Sequence, residues 1–390
     1  MSLKDLRGNW NYPTDIRFGV DRILELPAVC REINIARPLL VTDHNLASVP
    51  MIRDAVDNCN ASGLHCRVFS GVQGNPTKAN VTCGVDAYKS NGHDGIIGFG
   101  GGSALDVGKA IALMVGQKRS LWDFEDREDW FKRANVAGMS RVIAVPTTSG
   151  TGSEVGRAAV ITDEDEHVKK IIYHPNMMPV RVIADPTLTT GLSSELTAAV
   201  GMDALSHNLE AFSSPVYHPM AHGIALEGTK LIMQWLVRAC KDGEDLEARA
   251  HMQVASTMGA TAFQKGLGAM HSMSHPCGAL LNTHHGLTNA VVMPYVLLFN
   301  RPAIDANISQ MATYLGIKTG DFAGVLDWIL TLRDVIGIPN TLSELGVAET
   351  HISTLSSSAA IDPSAATNPV SLDEKKLDIL FRQAINGRLG

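Results

Sequence analysis

Asp94 to Val115 reads DGIIGFGGGSALDVGKAIALMV, an apolar run, a cluster of small residues and a helical pattern in direct succession. Its first part, Asp94 to Phe99, has the length and apolar, β-branched content of a strand buried on both faces. Four small residues follow, Gly100 to Ser103, and then apolar residues at helical spacing. A strand that turns so tightly into a helix converges backbone N–H groups and a helix N-terminus on one point, which suits a diphosphate. Ser103 and Asp106 stand at the spacing of a capping box. The segment therefore predicts a nucleotide cradle. Gly98-x-Gly100-x-x-Ser103 lacks the third Gly or Ala of the dinucleotide fingerprint and stands at the third strand read, so a glycine-rich turn needed only for packing is the competing reading.

Outward from it, Arg37 to Thr42, His65 to Phe69 and Arg141 to Val145 read as further strands, with helices at Met51 to Ser62 and Thr77 to Ser90. That alternation predicts βαβ units and a parallel, Rossmann-like sheet. Asp43 ends the first of these strands, where an acid can accept from a ribose 2′-hydroxyl and repel a 2′-phosphate. It predicts NAD over NADP, against a plain helix-capping role. Pro146 to Glu154, PTTSGTGSE, is a second small-residue loop whose Thr147, Thr148 and Thr151 hydroxyls suit ribose and phosphate oxygens. Ala158 to Ala184 reads as a hairpin with a solvated acidic turn, Asp163 to Glu166, and a returning strand.

From Asp185-Pro186 onward strand signals give way to helical periods: Ser194 to Phe212, His218 to Cys240, Leu246 to Phe263, Leu287 to Phe299, Asp321 to Ile336 and Leu372 to Ile385. The expected organisation is an α/β dinucleotide-binding domain over 1–185 and an all-helical metal-binding domain over 186–390, with a ligand site expected in the cleft between them. In GMDALSHNLEAF, Asp203 and His207 are a helical turn apart on one face, as metal ligands or a solvent-facing pair would be. GLGAMHSMSHPCGALLNTHHGLTNA then sets His271, His275, His284 and His285 among Gly, Met and Ala rather than among charges. Imidazoles in such company point to ligation or catalysis. With a carboxylate they suit Fe2+ or Zn2+, whereas Mg2+ and Ca2+ want oxygens. Cys277 reads as a small core residue.

Composition narrows the alternatives. Across 390 residues, 33 Lys and Arg against 40 Asp and Glu give a net charge of −7, without the basic surface that nucleic acid requires. Six cysteines without a CxxC pair fit reduced thiols and a cytoplasmic setting. The opening MSLKDLRGNWNYPTD has no apolar core of a leader, and no apolar run approaches the roughly 18 residues of a membrane span.

GGGSALDVGKA, PTTSGTGSEV, ADPTLT, GMDALSHNLEAF and the histidine segment together resemble the iron-containing (group III) alcohol dehydrogenases, from Asn75-Pro76-Thr77 to Asn368-Pro369. The resemblance implies a dehydroquinate-synthase-like two-domain architecture, a nicotinamide cofactor and a divalent metal. It implies Asp203, His207, His271 and His285 as ligands, which leaves His284 outside the set, and His275 as the further histidine near nicotinamide and substrate. Asp43, Gly101, Gly102, Ser103, Thr147, Thr148, Thr151 and Lys169 match cofactor positions, with Lys170 competing for the lysine role, and Asp106, at the start of the helix after the glycines, is read with them as cofactor-binding. Asn75 and Phe263 are candidate substrate contacts, together with the Trp122 to Trp130 and Ile361 to Thr367 regions. Ala158 stands where some members carry Asn. The implied reaction moves a hydride between NAD and a small primary alcohol or aldehyde, with the metal as Lewis acid and His275 in proton relay. A homodimer or larger assembly is implied too. A glycerol dehydrogenase, a maleylacetate-reductase-like enzyme and a dehydroquinate-synthase-like lyase are the alternatives on this fold.

Overall fold

A computed structural model of the chain describes residues 14–166 and 168–389. Met1 to Pro13, most of the opening segment read above, lies outside the described residues. The described chain divides into two compact units, one ending at Gly191 and one beginning at Leu192.

Among the described residues the first unit carries eight strands: β1 (Ile16–Phe18), β2 (Pro38–Asp43), β3 (Arg67–Val72), β4 (Gly95–Gly100), β5 (Val142–Pro146), β6 (Ala158–Asp163), β7 (Val168–Tyr173) and β8 (Arg181–Ala184). Six form a parallel sheet in the order β1-β8-β5-β4-β2-β3. β4 and β5 are buried at every residue, which is why their sequences run apolar without alternation. The chain passes from β2 outward to β3 and then crosses back to β4 on the other side of β2. That reversal opens a crevice beyond the carboxyl ends of β2 and β4, where open α/β sheets bind ligands. The glycine loop thus follows the fourth strand, not the third: β1 has only three residues at a half-buried edge, too few to show a period. Helices α1 (Leu26–Glu32), α2 (Pro50–Ala61), α3 (Lys78–Ser90) and α4 (Gly102–Met114) join the strands. β6 and β7 pair as the antiparallel hairpin read from sequence. Its acidic turn is only partly solvated, because Asp163 is buried against Lys170, 2.6 Å away.

The second unit is helical: α5 (Ser194–Ser213), α6 (Pro219–Lys241), α7 (Leu246–Ala262), α8 (Ala269–Leu281), α9 (His285–Leu315), α10 (Phe322–Val335), α11 (Ile352–Ala360) and α12 (Glu374–Asn386). One continuous apolar core joins them. Sequence reading ended the ninth helix at Phe299, before Pro302, yet it runs on to Leu315 with Pro294 and Pro302 inside it. An interior proline costs about 3 kcal/mol. Burial of Ile304, Ile308, Met311 and Ala312 beyond it outweighs that, at about 1.5 to 3 kcal/mol for each larger side chain. No helix among the described residues is long and apolar enough to cross a membrane.

Candidate active site

The two small-residue loops of the first unit stand directly against each other. Gly100 has φ of 147°, and a Cβ there would lie 2.8 Å from Cβ of Ala104. A Cβ on Gly102 would meet Thr151 Cγ2 at 2.7 Å, and one on Gly101 would meet Thr148 Cγ2 at 3.3 Å. Bare backbone is what lets the hydroxyl-bearing loop approach the start of α4, while the Thr147 N–H donates to the Gly100 carbonyl at 3.0 Å.

Ser103 and Asp106 do not form the expected capping box, because α4 already begins at Gly102 with Gly101 as its cap. The Ser103 hydroxyl instead donates to the Gly74 carbonyl at 2.7 Å, tying the loop before Asn75 to the glycine turn. The Asp106 carboxylate accepts from the Val160 N–H at 2.8 Å and from the Ser153 hydroxyl, and pairs with Lys109 Nζ at 3.1 Å. Lys109 is 1% exposed, and its ammonium also donates to Ser153 Oγ at 2.6 Å and the Ser153 carbonyl at 3.0 Å. Asp106 and Lys109 therefore clamp one loop to the other.

Asp43 sits at the carboxyl end of β2, and its Oδ1 accepts from the Leu46 N–H at 2.9 Å. This caps the next turn and leaves Oδ2 for a ligand hydroxyl, so the two readings of Asp43 are compatible. Lys170 is committed to Asp163 at 2.6 Å and Glu166 at 3.0 Å. Lys169 projects from the opposite face of β7. Among the aromatics near Trp122, Phe124 is wholly buried core. Trp122 packs beside that core with Lys170 over its ring, and Trp130 lies under the Arg133 guanidinium at 4.0 Å.

In the second unit, Asp203 and His207 of α5 meet His271 of α8, all three buried and with ligand atoms within 4.8 Å of one another. His285, the first residue of α9, brings Nε2 to 3.6 Å from Asp203 Oδ1. The reversal between α8 and α9 runs through Asn282 at φ 55°, a left-handed conformation that Asn tolerates. Gly286 makes the contact with α5 possible, since a Cβ there would lie 2.5 Å from the Ala199 carbonyl oxygen and 2.9 Å from Asp203 Cβ. His284 is exposed and accepts the Leu287 N–H as the cap of α9, apart from the cluster.

Outer partners fix the ring orientations. His271 Nδ1–H donates to Glu210 Oε2 at 2.6 Å, and Glu210 Oε1 accepts the Met270 N–H at 2.6 Å. Burial alone would lower the His271 pKa, but the Glu210 charge and hydrogen bond outweigh it and hold it above its ordinary value. Ser274 Oγ lies 2.8 Å from His285 Nδ1 and donates to the His285 carbonyl, so the ring donates from Nδ1. Both imidazoles then present an Nε2 lone pair. The Phe263 ring tilts against His207 at 5.1 Å.

His275 stacks on His285 at 5.3 Å and donates from Nδ1 to Asp362 Oδ2 at 2.8 Å. Burial works to raise the Asp362 carboxyl, but His275 and the Ser364 N–H more than compensate and hold it below the usual carboxylate range. Three imidazoles, two of them oriented by outer hydrogen bonds, and one carboxylate, mostly buried, fit a divalent first-row cation such as Fe2+ or Zn2+. Sequence reasoning missed Glu210, Asn289 and Lys109, and it named the Ile361 to Thr367 region, which holds Asp362, only as a substrate contact. Glu210 lies three residues beyond His207 in the same motif and was within reach of the helical rule, whereas Asp362 is remote from His275 in the chain.

Loops of phosphate-binding type in one unit and an imidazole-rich cluster in the other suit an enzyme that uses a nucleotide cofactor and a divalent metal. The model of iron-containing alcohol dehydrogenase matches residues 13–186, and that of the C-terminal part of the Fe-containing alcohol dehydrogenase family matches residues 197–385. The chain belongs to this family, as its motifs implied. It is 38% identical over 366 residues to the 4-hydroxybutyrate dehydrogenase of Cupriavidus necator, covering 92% of this chain and 94% of that one. It is 33% identical over 368 residues to the NAD-dependent methanol dehydrogenase of Bacillus methanolicus, covering 93% and 95%. The crystal structure of a 1,3-propanediol oxidoreductase superposes with a TM-score of 0.92 at 32% identity, covering 97% of this chain and all of that one. The protein is an oxidoreductase of alcohols in a metal- and nicotinamide-using family, and the lyase alternative gains nothing from these relatives.

Proposed function

We propose that the chain is an NAD-dependent, Fe2+-loaded dehydrogenase of a small primary alcohol or its aldehyde, with residues 1–185 holding the cofactor and 186–390 the metal. The observation that carries this reading is the convergence of Asp203, His207 and His271 within 4.8 Å, with His285 beside Asp203. Zn2+ suits the same donors. The free Asp43 oxygen at the end of β2 favours NAD over NADP by accepting a 2′-hydroxyl and repelling a 2′-phosphate. Gly101, Gly102 and Ser103, with Thr147, Thr148, Thr151 and Lys169, would hold the phosphates and ribose, and Asp106 acts through its clamp on both loops.

When bound, the cation would supply a Lewis acid for the alcohol oxygen and the nicotinamide a hydride acceptor. Glu210 and Ser274 keep the Nε2 lone pairs of His271 and His285 available. Asp362 holds His275 by Nδ1–H, leaving Nε2 to take the alcohol proton and pass it to water. Phe263 shields His207 from solvent, and Asn75 and Phe263 contact substrate. The enzyme works in the cytoplasm as a homodimer or larger assembly.

The test is anaerobic purification with elemental analysis, followed by NAD+ and NADP+ reduction across primary alcohols, diols and 4-hydroxybutyrate, which a 38% identical relative is named for. One equivalent of Fe2+ and turnover with NAD+ are expected. A metal-free chain that binds neither Fe2+ nor Zn2+ sinks the proposal.

A further inference from the structure

Asn289 lies one turn beyond His285 on α9, is wholly buried, and is not among the proposed ligands. Its amide nitrogen stands 2.9 Å from Asp203 Oδ1, 3.2 Å from His285 Nε2 and 3.4 Å from His271 Nε2. Atoms of three ligand side chains, one from each of three helices, thus converge on a single NH2 group. The two ring nitrogens it faces are the ones that Glu210 and Ser274 leave as acceptors. Its N–H groups therefore point at lone pairs that a cation would take.

The other end of the side chain is equally informative. Asn289 Oδ1 is buried and has no hydrogen-bond partner among the described residues. An unpaired buried carbonyl is a standing desolvation cost, and such groups call for a reason. Turning the amide over would set that oxygen against the Asp203 carboxylate, acceptor facing acceptor. The nitrogen is held inward at the expense of the oxygen.

We propose that Asn289 is a positioning residue that preassembles the cation site. Its amide bridges Asp203, His271 and His285 and keeps them from collapsing into a direct His285–Asp203 ion pair, whose atoms are already 3.6 Å apart. The three helices then present their ligands as a set, and binding does not have to pay for separating them first. On loading, the two Nε2 lone pairs go to the cation and the amide keeps its bond to Asp203, whose carboxylate has lone pairs to spare; loss of such an outer bond to a ligand lowers metal affinity by about 10- to 100-fold in comparable sites.

The inference rests on the ligand reading above, and the test separates the two. Metal-free protein is titrated with Co2+ against a chelator, following the visible absorption of the bound ion, for wild type, Asn289→Leu, Asn289→Ser and Asp203→Ala. Asn289→Ser removes the amide without apolar bulk beside Asp203 and carries the test if Asn289→Leu does not fold. The expected result is about 10- to 100-fold weaker binding with an altered absorption band in the Asn289 variants, and no measurable binding in Asp203→Ala. Wild-type affinity and spectrum in the folded Asn289 variants, with binding lost in Asp203→Ala, overturns the inference and leaves the ligand reading standing. Wild-type binding by Asp203→Ala overturns the ligand reading itself.

Discussion

Replacing Lys109 by Met keeps the volume of the side chain and removes only its ammonium. In the native structure that ammonium is buried and serves Asp106 Oδ1 at 3.1 Å, Ser153 Oγ at 2.6 Å and the Ser153 carbonyl at 3.0 Å. The Asp106 side chain is itself only 14% exposed. Removing one member of a buried pair typically costs about 3 to 5 kcal/mol, because the other charge is left uncompensated. Asp106 would keep the Val160 N–H and the Ser153 hydroxyl, so the lower figure, about 3 kcal/mol, applies. Asp106→Asn on top of Lys109→Met removes the stranded charge and should recover about half of that loss. Because the clamp joins the glycine loop to the hydroxyl loop, NAD+ binding should weaken by about tenfold, or about 1.4 kcal/mol. Urea denaturation gives the first quantity and titration of nucleotide fluorescence the second. A single variant that loses less than about 1 kcal/mol, with a double variant no more stable than it, would refute the idea that Lys109 neutralises a buried charge.

Asp362→Asn should lower kcat by about tenfold or more at unchanged metal content, and the double variant with His275→Ala should be no worse than His275→Ala alone; steady-state rates that fall further in the double variant would show that the two do not act as a pair. Gly286→Val should strip the metal, because any Cβ there meets the Ala199 carbonyl oxygen at 2.5 Å and Asp203 Cβ at 2.9 Å, and elemental analysis of the purified variant reads this directly. His222 lies with its ring stacked on Phe212 at 4.0 Å, and burial, aided by the Lys265 charge, pushes its pKa down to about 4 from 6.5. The unfolded chain binds that proton near 6.5 and the folded chain only near 4, so this group's contribution to stability falls as pH drops through that window. His222→Phe should accordingly lose less stability than wild type between pH 7 and pH 5, and equal losses in urea midpoints would count against the assignment.

What sequence could disclose divides along the range of the interactions. β4 and β5 were legible because burial on both faces writes an unbroken apolar run, whereas β1, three residues at an edge, leaves no period. The helix read to Phe299 runs on through Pro302, since the cost of one lost hydrogen bond is local while the burial that offsets it depends on helices elsewhere in the chain. The same distinction runs through the site. Asp203 and His207 were visible as neighbours on one helical face, and Glu210 and Asn289 obey the same rule at three residues from His207 and four from His285. Glu and Asn at those spacings ordinarily mean a solvated face, so the pattern alone does not single them out. Asp362 and Gly286 are a different matter. Nothing near position 362 announces that its carboxylate will orient His275, and a glycine after a histidine says nothing of the Ala199 carbonyl packed against it. Ligand identity is written locally because the donor atoms must share short stretches of helix. Ligand orientation is supplied by whatever packs behind, and that is set only when α5, α8, α9 and the turn at Asp362 come together.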